Sequence, residues 1–60
     1  MKLKELRQAN GMTRAQLSKE IGVPIRTIAR WENGETEMFL KTAIMLAEFF
    51  DVTLDEFVGE

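Results

Sequence analysis

TRAQLSKEIGVPIRTIARWENG, residues 13–34, is the stretch around which the remaining chain is organised. Thr13 followed three residues later by Gln16 has capping-box spacing: the Thr13 hydroxyl takes the third backbone N–H of a helix, and Gln16 reaches back to the N–H of Thr13. A helix is therefore predicted to start at Arg14. Leu17 and Ile21, one turn apart, give it a buried face, and Gly22 can adopt the positive φ that ends it. Pro24 is tolerated in the first turn of a second helix, where its missing N–H is not needed. Ile28 and Trp31 continue the apolar stripe until Asn33-Gly34 ends it. Two short helices joined by a three-residue turn containing a glycine form the helix-turn-helix layout, and Ser18 is small enough to permit a close crossing.

The run L-R-x-x-x-G-M-T-R-x-x-L-S-x-x-I-G-V-P-x-x-T-I-x-R-W-E-N-G, with Leu40, Leu46-Ala47 and Val52-Thr53-Leu54-Asp55-Glu56-Phe57 beyond it, resembles the Cro/repressor-type helix-turn-helix family of phage and bacterial transcriptional regulators. The match covers nearly all sixty residues. It implies an all-α fold, a compact five-helix repressor-like DNA-binding domain over residues 1–60 with the helix-turn-helix in its second and third helices. It also implies a cytoplasmic, nucleoid-associated protein of bacterial or phage origin.

Length and composition narrow the alternatives. Sixty residues make one small domain, which buries only about 60% of the surface its unfolded chain exposes. With no cysteine and no histidine, disulfides, thiolate or imidazole metal sites and the usual nucleophile-base pairs are excluded. There is no glycine-rich phosphate loop either, so neither an enzyme nor a cofactor-binding or small-molecule-binding protein is expected. The start, Met1-Lys2-Leu3-Lys4-Glu5, enters an amphipathic helix rather than an apolar signal block. No segment approaches the ~20 apolar residues that span a bilayer, and no linker, repeat or low-complexity tail interrupts the chain.

The net charge of −2 conceals a polarity. Residues 1–30 hold Lys2, Lys4, Arg7, Arg14, Lys19, Arg26 and Arg30 against Glu5 and Glu20, a net +5. Residues 31–60 hold Lys41 against eight acids, a net −7. The basic half contains the helix-turn-helix, and the acidic half can point away from a polyanion.

Taken in order, Lys2 to Asn10 reads as the first helix, with Leu3 and Leu6 inward. Arg7 lies close to that stripe, a costly place for a cation without a partner. The family resemblance implies a partly buried ion pair between Arg7 and Glu32. On the third helix, Arg26 and Arg30 share a face at a spacing of four. Arginine's planar fork matches the O6 and N7 acceptors of guanine in the major groove. Ile25 offers an apolar contact for a thymine methyl, and Thr27 can serve a base edge or a phosphate. Ile25, Arg26, Thr27 and Arg30 are thus the candidate base contacts, at positions to which the resemblance also points. Thr13, Arg14, Lys19 and Asn33 are the candidate contacts to the DNA backbone. Arg14 stands where the family most often has a glutamine that touches the backbone and braces the recognition helix; arginine can meet a phosphate but has no carbonyl with which to brace a neighbouring donor. Glu35 and Glu37, in a loop where relatives often carry basic residues, would repel phosphate.

Met38 to Phe50 is predicted as the fourth helix, with Leu40, Ala43, Ile44, Ala47 and Phe50 as its inward stripe. Met38, Met45 and Phe49 fall on another face and are the candidate dimer or partner surface. Thr53 and Glu56 repeat the capping-box spacing and open a short fifth helix through Val58, where Leu54, Phe57 and Val58 either close the core or extend the partner face.

The expected function is a sequence-specific transcriptional regulator, a repressor acting as a homodimer on a pseudo-palindromic site in double-stranded DNA. The alternative is a protein-interaction module that keeps the fold and uses the apolar face of the fourth and fifth helices, with DNA secondary.

Overall fold

The computed structural model describes residues 1–59, and Glu60 of the acidic half lies outside them. Five helices follow one another: α1 Leu3–Ala9, α2 Arg14–Ile21, α3 Ile25–Glu32, α4 Leu40–Phe49 and α5 Leu54–Val58. Among the described residues there is no strand, and no helix is long and apolar enough to cross a membrane.

Both capping boxes form. The Thr13 hydroxyl accepts from the Gln16 N–H at 3.1 Å and the Gln16 side chain accepts from the Thr13 N–H at 2.8 Å. Thr53 and Glu56 repeat the arrangement at 3.1 and 2.9 Å. Gly22 ends α2 at φ +70°, and Gly34 follows α3 at φ +73°. Pro24 sits one residue earlier than expected. It is the residue before α3, extended at ψ 143°, and its carbonyl accepts from Thr27 and Ile28, so the helix opens at Ile25. Ser18 does more than leave room: its hydroxyl donates to the Val23 carbonyl and ties α2 to the turn.

The core gathers Leu3 from α1, Leu17 from α2, Ile28 and Trp31 from α3, Ala43, Leu46 and Ala47 from α4, and Phe57 from α5. A hydrogen bond of 2.8 Å from the Lys2 N–H to the Phe57 carbonyl joins the start of α1 to α5.

The fourth helix departs from expectation in two ways. Met38 and Phe39 are not helical, and α4 begins at Leu40 with Phe39 extended before it. Its inward stripe is Ala43, Leu46 and Ala47, with Phe50 packed beside it, whereas Leu40 and Ile44 are 64% and 42% exposed. That is a rotation of roughly 50° from the predicted stripe, at 100° per residue. Phe57 is wholly buried, so it closes the core and does not extend a partner face. Met38 and Met45 are half-buried against the core, which leaves Phe49, of the predicted partner residues, substantially in solvent.

Candidate nucleic-acid interface

Ile28 and Trp31 turn one side of α3 into the core. The opposite side carries Ile25, 48% exposed, with Arg26 and Arg30. Neither arginine makes a hydrogen bond or ion pair among the described residues, so both guanidinium forks remain available. Thr27 lies on the flank of this face and is half-buried. Ala29, which the sequence reading did not single out, stands between Ile25, Arg26 and Arg30 on the helical wheel. Its small side chain leaves that part of the face low; only the position of its neighbours on the wheel could have drawn attention to it.

What holds α3 in place is a carboxylate at its C-terminal end. Arg7 of α1 donates to Glu32 through Nε at 2.7 Å and Nη2 at 3.2 Å, a bidentate pair. Arg7 Nη1 donates to the Met12 carbonyl at 2.8 Å, so one guanidinium also fastens the loop between α1 and α2. Arg14 of α2 donates through Nε to the same carboxylate at 2.9 Å. The Glu32 side chain is fully occluded from solvent, and the Arg7 side chain is 10% exposed. Burial pushes the Glu32 carboxyl up, but the hydrogen bonds and positive charges of Arg7 and Arg14 outweigh it and hold the group below the usual carboxylate range. Three helices meet at this cluster, which keeps a net charge of +1 and leaves no buried side-chain donor or acceptor unpartnered among the described residues.

Arg14 therefore braces α3, contrary to the expectation that losing the glutamine would cost this function. It does so by donating to the carboxylate instead of accepting from a donor. Its side chain remains 36% exposed, and one of its five N–H groups is engaged in the pair. Thr13 and Lys19 are exposed, at the start and in the last turn of α2. The Thr13 N–H is taken by Gln16, so its hydroxyl proton is what remains to offer a phosphate. Asn33 is exposed, but its amide donates to the Glu35 carboxylate at 3.2 Å, which places an acid beside a residue expected to touch the DNA backbone.

A family model described as helix-turn-helix matches residues 3–57. Among curated proteins, the chain is 36% identical over 55 residues to an uncharacterized HTH-type transcriptional regulator of Methanocaldococcus jannaschii, covering 92% of this chain and 83% of that protein. It is 32% identical over 58 residues to the HTH-type transcriptional activator BcrR of Enterococcus faecalis, covering 97% of this chain. It is 30% identical over 63 residues to the cryptic phage CTXphi transcriptional repressor RstR of Vibrio cholerae, covering 98% of this chain. The chain spans 28% of the length of the activator and 56% of that of the repressor. No solved structure matches the chain significantly.

Proposed function

Since this chain belongs to the Cro/repressor-type helix-turn-helix family, we propose that it is a sequence-specific DNA-binding transcriptional regulator and not an enzyme. In this reading α3 enters the major groove with Arg26 and Arg30 on guanine edges, Ile25 against a thymine methyl and Thr27 at the groove wall. Thr13, Arg14, Lys19 and Asn33 face the sugar-phosphate backbone and set the register of the helix. The observation that supports it most directly is the free outward side of α3, two unpaired arginines and an exposed isoleucine on a helix whose other side is locked into the core.

One such helix covers about half a turn of groove, so a homodimer reading two half-sites roughly 34 Å apart gives the affinity that one protomer lacks. Occupying a pseudo-palindromic operator would repress by blocking a promoter, and a phage repressor stands among the relatives. Selection of bound sequences from random duplex DNA, at a stated salt concentration, tests the proposal. A two-fold-related consensus is the expected result. In the double variant Arg26→Ala/Arg30→Ala, removing each arginine–guanine pairing costs about 1–3 kcal/mol and relaxes preference at its base. Unchanged affinity and consensus in that variant would overturn the assignment. Binding to a protein partner with no measurable affinity for any duplex would favour the interaction module instead.

A further inference from the structure

Leu40, Lys41, Ile44, Met45, Glu48 and Phe49 occupy the side of α4 turned away from Ala43, Leu46 and Ala47. Leu40, Ile44 and Phe49 are 64%, 42% and 41% exposed, Lys41 and Glu48 are exposed, and Met45 is half-buried. In chain order these six run apolar, basic, apolar, apolar, acidic, apolar. Reversed, the apolar positions fall on apolar positions and each charge falls on its opposite. Lys41 and Glu48 are seven residues apart, so they lie on one line along the helix, roughly 10 Å from each other.

We propose that this face pairs with the same face of a second copy, α4 against α4 in antiparallel orientation, about a two-fold axis passing between Ile44 and Met45. In that arrangement Lys41 of each protomer meets Glu48 of the other along the middle of the contact, Ile44 lies beside its own copy on one flank and Met45 beside its own copy on the other, and Leu40 and Phe49 line opposite edges. The contact is isologous, as a closed two-fold dimer requires. A parallel arrangement in register would instead set lysine against lysine and glutamate against glutamate. The Phe49 ring lies edge-on against Phe50 with centroids 5.0 Å apart, which orients it at this end of the face. Phe39, 83% exposed just before α4, adds apolar surface at the other end. The chain exposes 4234 Å² in total. A standard interface takes about 800 Å² from each partner, more than one short helix face supplies, so the free dimer is weak and concentration-dependent. This inference rests on the dimer part of the proposed function and identifies its surface.

Sedimentation equilibrium over a range of concentrations without DNA, on the wild type, Lys41→Glu, Glu48→Lys and the double variant, tests it. Both substituted positions are in solvent, and thermal melts confirm that each variant is folded. Each single reversal turns two attractive pairs into two repulsive ones and should weaken the dimer by at least about tenfold. The double variant restores opposite charges at both pairs, keeps the wild-type net charge, and should recover the wild-type constant to within about threefold. Mixing the two single variants should give a heterodimer tighter than either homodimer. A wild type that stays monomeric at every concentration, singles that dimerise unchanged, or a double variant as weak as the singles would each overturn the pairing. Affinity for a mixed-sequence duplex, measured on the same samples, keeps the two readings apart. A charge-swappable dimer that does not bind DNA supports this interface and sinks the regulator; a DNA-binding monomer does the reverse.

Discussion

Glu32 shows how much of this small domain depends on single ionised side chains. Its folded pKa lies below its unfolded one, because Arg7 and Arg14 outweigh the cost of burial. The stability it contributes is therefore complete above the unfolded carboxyl's pKa and is lost as pH falls through the lower, folded value. Arg14→Gln removes one of the two cations, so the folded pKa should move back up. The acid-unfolding midpoint followed by circular dichroism should then shift to higher pH. At neutral pH the cost should be about 0.5–1 kcal/mol, since a third of the Arg14 side chain is in solvent and its charge is screened. An unshifted acid midpoint would mean that Arg14 and Glu32 are not coupled in solution. Glu56 has the same sign at the α5 cap, where hydrogen bonds with the Thr53 backbone and hydroxyl hold it low, so that cap also weakens in acid. Asp51 is strained rather than charged into place: it is the one non-glycine residue at positive φ, +58°, among those described. It ends α4 in the same way that glycines end α1 and α3, with the Asp51 N–H on the Glu48 carbonyl and the Val52 N–H on the Ala47 carbonyl. Asp51→Gly should raise stability by about 0.5–1 kcal/mol, a gain of several degrees in Tm for a domain this small. Asp51→Val should lower it.

The helices differ in how legibly the sequence announces them. α2 and α3 are marked at their ends by chemistry that acts locally: a capping box at Thr13, a left-handed glycine at Gly22, and Asn33-Gly34 after the last turn. α5 is marked likewise by Thr53 and Glu56. α4 has no side-chain cap, and Ala43-Ile44-Met45-Leu46-Ala47 is apolar at every position, so periodicity has nothing to contrast and the inward side is chosen by packing. The same limit hid the fate of Phe57, whose burial depends on where α4 and α5 meet. The outward residues of α3 were legible because Ile28 and Trp31 fix the inward side. The role of Arg14 was not, because it depends on a carboxylate eighteen residues away. The tie between α1 and α3 is testable on its own. Arg7→Met leaves Glu32 with only the partly exposed Arg14 and orphans the Met12 carbonyl, at a cost of about 3 kcal/mol or more. A sixty-residue domain has roughly 3–9 kcal/mol in all, so Tm should fall by more than about 10 °C. Affinity for DNA should weaken in the fraction that stays folded. If neither changes, the pair adds nothing to the fold or to the placement of α3.

Along the chain, charge is polarised, net +5 over residues 1–30 and net −7 over residues 31–60. A chain of net charge −2 can bind a polyanion because the salt dependence of binding counts the phosphates neutralised at the interface and not the protein's total charge. The basic residues that would meet phosphate lie on α2 and α3, while seven of the ten acids follow α3 in the chain, from Glu35 onward. Glu35, held by Asn33, marks where the sign changes at the end of α3. The slope of log affinity against log salt should therefore respond to where a charge is removed. Lys19→Ala, at the exposed end of α2, should reduce that slope by about one and weaken binding alike on every sequence. Asp55→Asn, in the first turn of α5, raises the net charge by one yet should leave the slope as it was, because no phosphate lies near it. Titrations of one duplex at four or more salt concentrations measure both. Were Asp55→Asn to move the slope as far as Lys19→Ala, binding would be following total charge rather than a located face, and the orientation with α2 and α3 toward the DNA would fail.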